Sequence, residues 1–184
     1  MIASLPDFVQ QVLTSFLLVL FILVNRSLNR TPLPFSAFVD AMVSLTHYII
    51  EKNKMHMIQN DINEALDEGE RMLLVRALPG CENLFPLQQK IIYHKRASRS
   101  SSTTAEEQYE TLKHMGKEAI ARLHHKIKKL LQIICKHLDG LVLFIDDLQF
   151  SDTATIDLLQ SILLDFDIAS LLLVGAYRDD EVSW

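Results

Sequence analysis

The chain has 184 residues, 49% of them apolar and 22% charged, which suits one globular domain with a real core and excludes two complete catalytic domains, a disordered chain and a collagen-like fibre. Five glycines and five prolines are too few for a sandwich or barrel of many short strands, and two cysteines 54 positions apart, Cys81 and Cys135, form neither a disulfide framework nor a paired zinc motif. The net charge of −5 hides a division: ten acids against Arg178 alone between Asp139 and Trp184, but seven Lys or Arg against Glu118 alone between Lys113 and Lys136.

The first element is residues 8–25, which carry no charge. A spanning helix needs ~20 apolar residues, so the run sits at the lower limit for a membrane anchor. The same residues also read as a buried helix followed by a buried strand, Phe21 to Val24, and periodicity does not separate the two. Residues 1–25 are therefore set apart as a hydrophobic N-terminal segment, and residues 26–184 as the domain proper.

After Pro34, apolar residues at Phe35, Phe38, Val39, Met42, Leu45 and Ile49 predict a helix with one buried face. A second helix is expected from about Asp61 to Leu78, stopped by Pro79-Gly80. Residues 94–104 (HKRASRSSSTT) have no apolar periodicity and read as a mobile insert, in which Ser98 and Ser100 follow basic residues as phosphorylation sites would. A long helix then carries Leu112, Met115, Ala119, Leu123, Ile127, Leu130, Ile134 and Leu138 on one stripe, ending at Gly140. Arg122, Lys126, Lys129 and Lys136 lie opposite, where a solvated face or an anion-facing surface both fit. His124, His125, Cys135 and His137 point in too many directions on a helix to form a strong metal set.

The period then changes. Leu141 to Ile145 is an unbroken apolar run, read as a strand buried on both faces. Asp152 caps a helix to about Asp165 with Ile156, Leu159, Ile162 and Leu163 inward, and Leu171 to Val174 is a second buried strand. Strand, helix and strand within about 35 residues make a βαβ unit. The expected fold class is α/β, helix-rich, with a parallel sheet flanked by helices.

The residues with most chemical content are Asp146 and Asp147 in LVLFIDDLQFSD, at the carboxyl end of a buried strand, where open α/β sheets place ligands. A strand cap leading into a turn would use the same residues. A receiver domain also pairs acids at a strand end, but it needs further strands and a later Lys, and no Lys follows Lys136.

In its wider context, LVLFIDDLQFSDTATIDLLQ followed by LLLVGAYRDDEV resembles the origin-recognition-complex-like AAA-type ATPase domain of large signalling ATPases. ARLHHKIKKLLQIICKHLDG resembles that family's lead-in helix, and NRTPLPFSAFVDAM the segment after its second strand. The resemblance covers roughly residues 21–182 and implies a partial P-loop nucleotide hydrolase. It implies that Asp146 holds magnesium through water, in a Walker B-like strand, and that Asp147 polarises the attacking water. It also implies that Gln149 lies at the nucleotide and that Arg178 senses the terminal phosphate, Asp152 matching the motif's tail and Phe150 standing where the family usually has Trp. A surface ion pair with Asp179 or Glu181 is the plainer role for Arg178. ATP and magnesium are the implied cofactors, and kinase or transcription-factor modules of a larger protein the implied partners, with no nucleic acid expected. A cytoplasmic location is expected, or else a single-pass membrane location with the C-terminal part in the cytosol.

One part of the family pattern is missing. A P-loop needs a Gly-rich turn with Lys and Ser or Thr to cradle phosphates, and the single Gly-Lys pair, Gly116-Lys117, is followed by Glu118 and is read as lying within a helix. The expectation is a fragment or degenerate copy, incomplete at its N-terminus, that does not hydrolyse ATP by itself. The alternative is a membrane-anchored, non-enzymatic interaction module.

Overall fold

The computed structural model describes residues 35–85, 116–146, 148–165, 167, 168 and 170–178. Expectations for residues 1–34 and 86–115, including the apolar run 8–25 and the insert 94–104, lie outside the described residues. Among the described residues no helix is long and apolar enough to cross a membrane.

Helix α1, Ser36–Glu51, follows the predicted spacing: Phe38, Met42, Leu45 and Ile49 are wholly buried and Phe35 and Val39 nearly so. The single helix expected over 61–78 is two helices, α2 (Met55–Ala65) and α3 (Glu68–Ala77). The break lies at Leu66-Asp67. Asp67 Oδ1 accepts the Glu70 N–H at 2.8 Å and Glu70 Oε2 accepts the Asp67 N–H at 3.0 Å, a reciprocal capping box that starts a new helix. Across the break, an Arg71 guanidinium N–H reaches the Leu66 carbonyl at the end of α2. Gly80 stops the segment as expected. Its φ of +88° suits glycine, and an added Cβ would lie 2.8 Å from Val43 Cγ2 on α1.

Helix α4, Lys117–His137, is the centre of the helical layer and packs against α2, α3 and a later helix. Leu123, Ile127, Leu130, Ile134 and Leu138 are buried as the stripe predicts, and Leu131, Ile133, Cys135 and His124 are buried as well. Gly116 is the N-cap of α4, not an interior residue as the sequence suggested.

The basic face of α4 is not simply solvated. Lys126 pairs with Glu70 of α3, and Lys129 Nζ donates to the Ala65 carbonyl at 2.6 Å. Lys136 Nζ and His137 Nε2 both meet Asp61 Oδ2, at 2.8 and 3.0 Å. Lys54 Nζ in turn donates to the His137 carbonyl at 2.7 Å, satisfying the carboxyl end of α4. Hydrogen bonds from Lys136 and His137 hold the Asp61 carboxyl below the usual carboxylate range. These ties fix how α4 sits on α2 and α3, although exposed pairs of this kind contribute little stability singly.

Strand β1, Leu141–Ile145, is buried along its length. Helix α5, Thr153–Leu163, follows and packs against α1 and α4. Leu158, Leu159, Ile162 and Thr155 are its buried residues, whereas Leu163, expected inward, is 61% exposed. Strand β2, Leu171–Gly175, pairs with β1 in parallel, Leu141 opposite Leu171 and Ile145 opposite Gly175. The fold is therefore α/β, with a two-stranded parallel sheet among the described residues. Expected burial of β2 on both faces is not found: Leu172 is 36% exposed and Gly175 is exposed too. A short apolar run specifies a strand without specifying what covers it.

Candidate functional site

The candidate site grows from the carboxyl ends of β1 and β2. Because the strands are parallel and in register, their exits leave the sheet side by side, and backbone hydrogen bonds stitch them together. Ala176 N–H donates to the Ile145 carbonyl at 2.9 Å, and Leu148 N–H donates to the Ala176 carbonyl at 2.9 Å. The chain then makes one 3₁₀ turn, Leu148–Phe150, with Ser151 N–H bonded to the Leu148 carbonyl at 3.0 Å. Finally Arg178 N–H donates to Gln149 Oε1 at 3.2 Å.

This geometry brings three of the four predicted site residues into one loop pair. Asp146 is half-buried at the exit of β1, Gln149 follows it in the turn, and Arg178 is exposed on the exit of β2. The tie between Gln149 and Arg178 runs through the Gln149 side chain and the Arg178 backbone, so Gln149 positions the second exit loop against the first. Asp147 lies outside the described residues, as do Asp179 and Glu181, the alternative partners for Arg178. Asp152 is committed to structure: its Oδ1 accepts the Thr155 N–H at 2.9 Å and its Oδ2 the Thr155 hydroxyl at 2.7 Å, which caps α5.

Gly175 and Leu148 are the positioning residues that the sequence reading passed over. A Cβ on Gly175 would overlap Leu148 Cδ1, so the absent side chain lets the loop after β1 lie across the end of β2. The signal was present, because a glycine ending a strand marks a close approach. Gly175→Ala should turn the half-buried Leu148 side chain aside and lower stability by about 0.5–1.5 kcal/mol, measurable by urea denaturation, with amide shifts concentrated at residues 146–150 and 176–178. Shifts spread evenly over the helices would contradict this role.

Other nucleophile or metal arrangements are weaker. Burial pushes both the Cys81 and Cys135 thiols up to about 11, which keeps them protonated and unreactive at neutral pH. Among the described residues no group of three or more His, Cys, Asp or Glu side chains is placed to hold a metal ion. His124, His125, Cys135 and His137 thus form no ligand set. A magnesium ion held through water by one strand-end carboxylate needs no such cluster, because magnesium commonly keeps most of its waters and takes its remaining oxygens from nucleotide phosphates. Asp146 is a carboxylate at the exit of a buried parallel strand, the residue type and position such a role would need.

Comparison with known proteins gives no further guidance: no protein-family model, no curated protein and no solved structure matches the chain.

Proposed function

We propose that the chain is a partial or degenerate ATPase domain of the origin-recognition-complex-like AAA type, retaining the magnesium-binding half of a P-loop hydrolase site. The observation that carries this reading is the adjacent parallel pair β1 and β2, with its connecting helix α5 and with an acid at the exit of β1 stitched beside the exit of β2. In the proposal Asp146 holds magnesium through water and Asp147 polarises the attacking water. Arg178 reaches the terminal phosphate, and Gln149 keeps the two exit loops together. The parent activity is ATP binding and hydrolysis used as a conformational switch in a larger signalling protein.

The 184 residues contain no Gly-rich Lys-Ser/Thr loop. Such a loop supplies most of the backbone donors and the lysine that hold the phosphates, and phosphoryl transfer depends on that positioning and charge neutralisation. The chain should therefore release no phosphate from magnesium ATP above background, whereas a longer version carrying such a loop should turn over. Robust magnesium-dependent turnover by the 184-residue chain, abolished by Asp146→Asn, would contradict this account of the missing cradle.

A further inference from the structure

The contact between the start of α1 and α4 holds a different kind of group. Phe35, directly after Pro34, begins α1 with φ 60° and ψ 12°, a left-handed conformation that bulky L-residues rarely adopt. It makes no side-chain cap, and its carbonyl accepts the Val39 N–H at 2.7 Å to open the first turn. Its buried ring is met edge-on by the imidazole of His124 from α4, with centroids 5.9 Å apart and planes at 83°. His124 is 9% exposed, and its Nε2 is buried with no hydrogen-bond partner.

An imidazole so placed is comfortable only when neutral, because its charged form needs a second donor contact or water at Nε2. The charged groups that bear on it are Asp157 of α5, which favours the imidazolium, and Lys128 on α4 itself, which opposes it. Burial outweighs both and holds the ring below the usual 6.5. We propose that His124 is a proton-sensitive latch, whose protonation drives the ring out of its contact with Phe35 and opens the Phe35–Val39 hydrogen bond, while α4 and the rest of α1, held in the core by Phe38, stay in place.

The asymmetry follows from what each side of the contact is anchored by. Around His124, α4 is held by the wholly buried Leu123, Ile127 and Leu130. Phe35, by contrast, sits at a helix end in an unfavourable backbone conformation that relaxes once its ring is released. Hydrating the imidazolium by moving Phe35 alone, with Phe38 keeping α1 in the core, disturbs less packing than moving the whole of α4. The sign follows from linkage: with the folded form holding the ring below its ordinary value, the closed contact is at full strength above about pH 6.5 and weakens as pH falls below it.

The test is hydrogen exchange on the full chain between pH 7.5 and 5, read as protection factors so that the intrinsic pH dependence is removed, with the His124 ring followed by NMR in the same samples. The expected result is a fall in protection at the Val39 amide relative to Leu130 in α4, tracking the His124 titration. His124→Phe, which fills the space without a titrating group, should abolish the pH dependence, and replacing the exposed His125 by glutamine should leave it intact. An equal fall in His124→Phe, a His124 titration with no change at Val39, or parallel loss at Val39 and Leu130 would each overturn the latch. If His124→Phe fails to fold, the relation between ring titration and Val39 protection in the wild-type chain decides the matter alone.

Discussion

In a loop-containing version of the protein, Asp147→Asn should lower the ATP turnover rate by ~10²–10⁴-fold, the scale of a positioned general base, while leaving magnesium-nucleotide affinity nearly unchanged. An amide has almost the shape of a carboxylate, but it accepts no proton from water and lacks the charge that orients it. Asp146→Ala should do the reverse in the first instance and weaken magnesium-nucleotide binding, because it removes the carboxylate proposed to hold the ion. Aspartate is one methylene shorter than the glutamate that many AAA-type ATPases carry at the second position, so in the proposed role the reach of Asp147 to the water is the sensitive point. Affinity and single-turnover rate, measured separately for both variants, test the assignment. Turnover at the parent rate in Asp147→Asn would make Asp147 a strand cap and nothing more.

The largest expected effect on stability is at Phe38. Its side chain is wholly buried on α1, within the core cluster that joins α1, α2, α3, α4 and β1. Phe38→Ala should cost about 3–5 kcal/mol, from lost transfer energy together with the cavity left behind. A domain of this size has ~5–15 kcal/mol in total, so the variant would be close to its limit of stability. With a urea dependence of ~2 kcal/mol per molar, the unfolding midpoint should fall by roughly 2 M. Phe38→Leu, which keeps most of the volume, should lose markedly less. A midpoint change under about 0.5 M for Phe38→Ala would mean that α1 does not pack into the core as described.

Sequence reading succeeded where a single local signal is sufficient and faltered where lateral context decides. The apolar spacing from Phe35 to Ile49 predicted α1 because a buried helical face imposes that spacing on its own residues. The parallel pairing of Leu141–Ile145 with Leu171–Gly175 was legible for a similar reason, since two apolar runs flanking an amphipathic helix have few other ways to pack. The break between α2 and α3 was missed although Asp67 and Glu70 stand at capping-box spacing. Apolar periodicity running through Leu66 masked it.

The basic face of α4 was read only in part, since Arg122 and Lys136 are exposed as a solvated face requires while Lys126 and Lys129 are not. A stripe of Lys opposite an apolar stripe looks solvated in one dimension, and only the placement of Glu70, Ala65 and Asp61 on α2 and α3 shows that it ties helices together. At the candidate site the sequence put Asp146 directly after an apolar run, and the structure places it at the exit of β1. The contact between Gly175 and Leu148, and the bond from Arg178 to Gln149, depend on how two loops 25 to 30 residues apart meet, which no local pattern encodes.

The most direct test of the central claim is paramagnetic relaxation with Mn²⁺ standing in for magnesium, because it detects even weak occupancy of a metal-nucleotide site. With ATP and substoichiometric Mn²⁺ added to the full chain, the amides of residues 145–149 and 176–178 should broaden well ahead of those in α1 and α3, and Asp146→Asn should remove the effect. Broadening confined to exposed carboxylates such as Glu68 and Glu82, or an unchanged pattern in Asp146→Asn, would contradict a magnesium-nucleotide site at the end of β1.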